Sequence, residues 1–380
     1  MKIAVNPVVL EWAVMRSGHE ANLLERCPRL SEWLSGADQP TLHQLEAFAK
    51  AASVPFGYLL LPEVPKEQLP IPHFRTLGDE PVRQSSPDLL ETVHTMQRRQ
   101  AWMREYLVEQ GSEPLPAVRS VTVDDNSAII ARRMRETLGF DEAWATREPT
   151  WTDALRTLQR QIEEAGILVV VNGVVGNNTH RKLDPTEFRG FVLVDEYAPL
   201  LFVNGADGKA AQMFTLSHEL AHVFFGSSAA FDLRELQPAG DQTEQACNRV
   251  AAEFLVAAGQ LYDLWPFVRN DPERFRTVAR KFKVSEVVAA RRALDLGLIT
   301  RDVFFEFYRA WQERDLPMHF GSEGGNFYAT QNLRIGRRFG EAVVQATSEG
   351  RLLYREAYRL TGLSGHTFQS YAAIAFGALV

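Results

Sequence analysis

An α+β protein, mostly helical, is the fold class this sequence predicts, and three observations predict it. Apolar residues recur at helical spacing, punctuated by glycine and proline, through the first 62 residues. The block from Ile167 to Asn204 is instead rich in Val, Phe and Leu, in runs of strand length. Helical spacing then returns and dominates the rest of the chain, which at 380 residues has room for about two or three domains.

The elements follow in order. "VVLEWAVMRSG", "EANLLERC", "RLSEWLSG", "TLHQLEAFAKAAS" and "PFGYLLL" form a set of short helices bounded by Gly18, Pro28, Gly36, Pro40 and Pro55. Helices this short are not stable alone and must bury against one another. From Pro62 to Pro87 the chain is rich in proline and charge, as in a linker lying on the surface of the next unit. A long helix is expected from Asp88 to about Gln110, ended by Gly111. "DNSAIIARRMRETLG" and "TDALRTLQRQIEEAG" are amphipathic, and each stops at a glycine suited to a left-handed cap. "ILVVVNGVVG", "FRGFVLVD" and "PLLFVN" read as strands. Helices are expected at about Lys209–Phe225 and Gln242–Ala257, and again beyond Tyr262, interrupted by a glycine-rich loop at Met318–Gln331. The expected organisation is 1–62, a linker and long helix over 63–118, a central domain over 119–300 and a helical extension over 301–380.

Composition narrows the function. A hydrophobic fraction of 45% and a charged fraction of 23% are ordinary for a globular protein. The net charge of −7 does not describe a general nucleic-acid binder, so any DNA contact must come from a local patch. No apolar run approaches the ~20 residues of a membrane span. The first residues lack the pattern of a secretory signal, and a cytoplasmic protein is expected. Cys27 and Cys247 stand far apart, without metal-type spacing, which supports neither a disulfide framework nor a cysteine metal site.

The chemistry concentrates in "TLSHELAHVFFG", Thr215–Gly226. On a helix His218 and His222 project from one face, one turn apart, and can supply neighbouring positions of a tetrahedral zinc ion. Glu219 lies about 100° round the helix from His218, placed to accept a proton from the attacking water without being a ligand. A catalytic site needs a third protein ligand. Position 228 is Ser228, which excludes a third histidine at the spacing "HExxHxxGxxH". The following helix, "TEQACNRVAAEFLV", offers Glu244, with Asn248 one turn later to hold a ligand histidine through its second ring nitrogen. Glu253 competes for the ligand role; nine residues on, about 900° round the helix, it faces the opposite way, so both cannot serve one ion.

These segments, "FTLSHELAHVFFG" preceded by "RGFVLVDEYAPLLFVN" and followed by "EQACNRVAAEFLVA", resemble the ImmA/IrrE family of zinc metallopeptidases, with Cys247 where the family usually has alanine. The resemblance implies a thermolysin-like domain with a small mixed β-sheet and one zinc ion held by His218, His222 and Glu244, with Glu219 as catalytic base. It also implies a strand edge at "RGFVLV" on which an extended peptide substrate pairs. The front end, "RLSEWLSGADQPTLHQLEAFAKAASVP", resembles an XRE-type helix-turn-helix, and "FKVSEVVAARRALDLGLI" and "GGNFYATQNLRIGRRFGEAVV" resemble the long C-terminal extension of XRE–peptidase fusions. Family members act on, or as, transcriptional repressors. The implied partner is therefore a protein substrate such as a repressor. Alternatively the chain is a DNA-binding regulator or antitoxin paired with a PIN-type toxin, its metal site structural or weakly active.

Charge does not favour the second reading. Residues 1–60 carry five basic and six acidic side chains, and the candidate recognition helix offers Arg29 beside Glu32. Asp271–Arg301 carries eight basic against four acidic residues, a pattern more often found on a solvated face. His319 and Tyr328 in the glycine-rich loop, His180 and Tyr197 are candidate donors to a tetrahedral intermediate, although each reads more simply as a surface residue.

Overall fold

A computed structural model describes residues 2–18, 20–67, 85–227, 229–231, 242–314 and 327–377; the side chains of Ala21, 229–231 and 327–329 lie outside the description. The described residues up to His94 form one compact unit and those from Thr95 onward a second.

The first unit opens with α1 (Pro7–Ser17), α2 (Glu20–Arg26), α3 (Leu30–Leu34) and α4 (Leu42–Ala51). Asn6 caps α1 ahead of Pro7, and Thr41 with Gln44 forms a capping box on α4. The apolar faces meet around Leu10, Leu30, Leu45 and Phe48, with Trp33 set edge-on to Phe48 at 6.4 Å. The five-residue α3 carries Arg29 just before its start, where the guanidinium pairs with both Glu32 and Asp38. The one cation of the expected recognition helix is thus already neutralised. Of the linker expected from Pro62 to Pro87, residues 68–84 lie outside the described residues. The long helix, α5 (Pro87–Glu109), matches its sequence limits, and Gly111 follows at φ 73°.

The second unit continues with α6 (Ser127–Thr137) and α7 (Trp151–Glu164), capped by Asn126 and Thr150. The strands are β1 (Leu168–Asn172), β2 (Val174–Val175), β3 (Asn178–Lys182), β4 (Gly190–Leu193) and β5 (Leu200–Asn204). After α8 (Lys209–Phe225) come β6 (Ala229–Phe231), α9 (Gln242–Leu255), α10 (Ala258–Val268), α11 (Arg274–Phe282), α12 (Glu286–Asp295) and α13 (Arg301–Gln312). The chain ends with α14 (Phe327–Ile335), α15 (Arg337–Ser348), α16 (Tyr354–Thr361) and α17 (Gly365–Phe376). Among the described residues no helix is long and apolar enough to cross a membrane.

The sheet is mixed, in the order β1-β5-β4-β6, and β2 pairs with β3 in a separate hairpin. β1 and β5 run parallel with Leu168 opposite Leu200, whereas β4 lies antiparallel to β5 with Gly190 opposite Val203. β4 is paired on its other side by β6, Phe191 opposite Ala230. This corrects the expectation of an open edge at "RGFVLV": Gly190, Phe191 and Val192 are already paired on that side, and among the described residues the sheet ends at β6. The two strands missed by the sequence pattern are β3, whose residues are polar and mostly exposed, and the three-residue β6.

Every residue of α8 from Gln212 to Phe224 is buried. An all-round buried helix is a central strut rather than a surface element. The sheet covers one side of α8, and α7 and α9 lie against others. The core built on it includes Leu216, Leu220, Phe224, Val250, Phe254 and Phe282. Within the basic segment, Arg292 and Lys283 are buried, while Arg276 and Arg291 pair with Glu273 and Asp295; it is part of this body rather than a free cationic face. The C-terminal helices dock on β1, where Gly336, at φ 86°, allows the close approach: a Cβ there would come within 2.8 Å of the Val169 carbonyl. Arg99 of α5 is buried and donates to the carbonyls of Arg334, Ile335 and Leu360, satisfying the ends of α14 and α16.

Candidate metal centre

Helix α8 ends at Gly226, whose φ of 78° suits glycine, and the amides of Gly226 and Ser227 both return to the His222 carbonyl. That turn brings the Ser227 hydroxyl to His222 Nδ1, at 3.0 Å. His218 Nδ1 meets Asn248 Oδ1 of α9 at 3.1 Å. With Nδ1 of each ring engaged, each Nε2 is left facing inward. The two Nε2 atoms lie 3.1 Å apart, and each is 3.2 Å from a different oxygen of Glu244.

Two imidazole nitrogens and a carboxylate that converge this closely need a shared proton or a metal ion among them. Tetrahedral ligands about 2.1 Å from an ion are separated by roughly 3.4 Å, close to the spacing found here. The ligand atoms of His218, His222 and Glu244 all lie within 4.8 Å of one another, so the group can hold a metal ion. Burial pushes the His218 imidazole below its ordinary pKa, favouring the neutral form that ligates. Burial alone would raise Glu244, but hydrogen bonds and charge from the two histidines outweigh it and hold the carboxyl well below the usual range.

Glu219 is fully buried, and among the described residues neither of its carboxylate oxygens has a hydrogen-bond partner. Burial, and then the Glu244 charge, push its proton affinity far above that of an ordinary carboxyl. β4 runs against it at Gly190: a Cβ there would lie 3.4 Å from Glu219 Oε1, 2.7 Å from the Phe202 carbonyl and 2.5 Å from Thr215 Cγ2. Only glycine lets the strand come this close.

The structure therefore brings His218, His222, Glu244 and Asn248 together, with Glu219 on the same turn of α8 as His218. It separates Glu253 from them. That carboxylate is buried on the opposite side of α9, where it pairs with Arg292 and caps α10 through the Ala258 amide at 3.2 Å. His180 is exposed on β3, and Tyr197 lies under Arg104, 4.9 Å from its ring. His319 and the Tyr328 side chain lie outside the described residues. Sequence reasoning missed Ser227 and Gly190. A serine directly after the capping glycine was the available signal for the first; the approach that makes the second necessary is long-range and left no local mark.

This is a candidate metal centre on an α+β domain with a metallopeptidase-like fold. Residues 162–294 match the peptidase M78 family, described as an IrrE N-terminal-like domain, and the match supports the ImmA/IrrE resemblance for this part of the chain. Residues 335–373 match a domain of unknown function, DUF8813. No curated protein was found to match the chain.

Proposed function

We propose that the chain is a zinc-dependent endopeptidase-type regulator that cleaves a protein such as a transcriptional repressor or a cassette partner. The observation that carries the proposal is the convergence of two histidine Nε2 atoms on the Glu244 carboxylate, beside a buried, unpartnered Glu219. Two imidazoles and one carboxylate are a donor set suited to zinc in a catalytic site with one open position. When bound, zinc supplies Lewis acidity, making water nucleophilic near neutral pH and stabilising charge on a carbonyl oxygen.

The remaining chemistry belongs to the chain. Asn248 and Ser227 fix the ring orientations, so that Nε2 of each histidine faces the ion. Glu219, with both oxygens unengaged among the described residues, accepts the proton of the attacking water and passes it to the leaving amine. Since β4 is paired on both sides, an extended substrate would add to the sheet at β6.

The reading as a DNA-binding regulator is weakened at the front end, where the Arg29 guanidinium is held by Glu32 and Asp38. Substrate capture separates the two. Glu219→Gln, expressed in cells, should retain a protein that the wild type then cleaves at a defined bond. A wild-type phenotype for Glu219→Gln, with no cleaved partner, would reject the peptidase reading.

A further inference from the structure

A cavity of about 430 Å³ opens between the β2–β3 hairpin, α14 and the junction of α16 with α17. It shares no residue with the cluster at His218, His222 and Glu244. Its walls include Asn177, Thr179, Gln331, Arg334, Ser364 and Thr367. Among the described residues that line it there is no carboxylate and no aromatic ring.

Gln331 points to a ligand. The residue is 0% exposed, and among the described residues neither Nε2 nor Oε1 has a hydrogen-bond partner. Buried amides are nearly always paired, and this unpaired one belongs to a residue that lines the cavity. Arg334 is one turn further along α14, half-buried, with burial the sole influence on its proton affinity and no carboxylate beside it among the described residues. Arginine keeps its charge under such burial. Across the cavity α17 begins after Ser364, which makes no side-chain cap, so the positive end of that helix is also presented to the cavity. The Asn177 amide donates to the Gly362 carbonyl at 3.1 Å and ties the hairpin to this junction.

We propose that this cavity binds a phosphate monoester of a small sugar or polyol. An arginine, an amide N–H and a helix N-terminus together suit a phosphate dianion. The hydroxyl and amide groups of the remaining wall, including the Gln331 acceptor, suit the hydroxyls of a polyol. Among the described lining residues a nucleobase would find no ring to stack on. The size lies in the range of small-molecule sites.

The test is isothermal titration of the full chain with glucose 6-phosphate, inorganic phosphate and glucose as separate arms, paired with thermal melts. Saturable binding of the ester and none of glucose is expected. Arg334→Met should weaken the ester by about tenfold or more. Gln331→Leu should abolish binding yet melt no lower than wild type without ligand, because an unpaired buried amide has been removed. Thr367→Val is a milder second variant, expected to weaken binding should Arg334→Met fail to fold. Glu244→Ala should bind normally, separating this site from the metal centre. Equal binding of inorganic phosphate would keep the anion site and make free phosphate its ligand. No binding of either at about 10 mM, far weaker than any specific site, overturns the proposal. So does binding unchanged in a folded Arg334→Met, or lost in Glu244→Ala.

Discussion

Replacing Gly190 by alanine tests the closest approach in the centre. The new Cβ would stand 2.5 Å from Thr215 Cγ2 and 2.7 Å from the Phe202 carbonyl, roughly an ångström inside ordinary contact. Neither neighbour yields easily: Thr215 is fully buried on α8, and Phe202 is held in β5, which is paired on both sides. Overpacking of this kind costs about 1–3 kcal/mol, and the backbone neighbour places Gly190→Ala near the upper end. For a unit of this size that corresponds to a fall in melting temperature of about 5 °C. Relief of the clash pushes α8 away from β4, and Glu219 Oε1, 3.4 Å from the new atom, moves with it. A misplacement near 1 Å lowers turnover by on the order of 100-fold. The assays are thermal denaturation of the full chain and cleavage of the protein captured by Glu219→Gln. Adding Thr215→Ser removes the clashing methyl, so the double variant should lose less than the two single losses combined. A Gly190→Ala protein that melts within a degree of wild type, with unchanged turnover, would refute the contact as drawn.

Other outcomes follow from the same geometry. Asn248→Ala and Ser227→Ala each remove the partner of a ligand ring and should weaken metal binding by about 10- to 100-fold, read by competition with a chromophoric chelator. Arg292→Met leaves the buried Glu253 carboxylate unpaired and should cost about 3–5 kcal/mol in chemical denaturation, with metal affinity of the folded fraction retained. Glu163, whose carboxylate accepts the Arg338 amide at 3.0 Å, is pushed up to about 7 by burial, against the pull of that bond and of Arg337. Its folded pKa then exceeds the unfolded one, so its contribution is full below about 4.5 and is lost as pH rises through about 7, a loss of at most about 3 kcal/mol. Glu163→Gln should flatten that part of the stability profile, and an unchanged slope between about pH 5 and 8 would count against the burial.

The parts of the centre that were legible in sequence are those set by one helix at a time. His218 and His222 share a face because they are four residues apart, and Glu244 and Asn248 share one for the same reason, so the structure had only to bring α8 and α9 together. Periodicity could leave Glu253 in contention but could not show its partner: Arg292 lies far along the chain on α12. β3 was not visible because Asn178–Lys182 is polar and mostly exposed and has no alternation to read. The pairing of β6 with β4 closed an edge that the apolar run "RGFVLV" left open, since a strand's own sequence does not say how many neighbours it has. At the front end the helices were legible, whereas the neutralisation of Arg29 depends on Asp38, which comes back beside it only after the turn that follows α3.

Metal content of the purified protein decides the central proposal most directly. Wild type, Glu219→Gln and Glu244→Ala would be measured in parallel by mass spectrometry after zinc reconstitution and removal of excess metal. The expected result is about one zinc per chain in wild type and in Glu219→Gln, and a clear loss in Glu244→Ala, since Glu244 is a ligand and Glu219 is not. No zinc in the wild type, or full zinc in a folded Glu244→Ala, would contradict it.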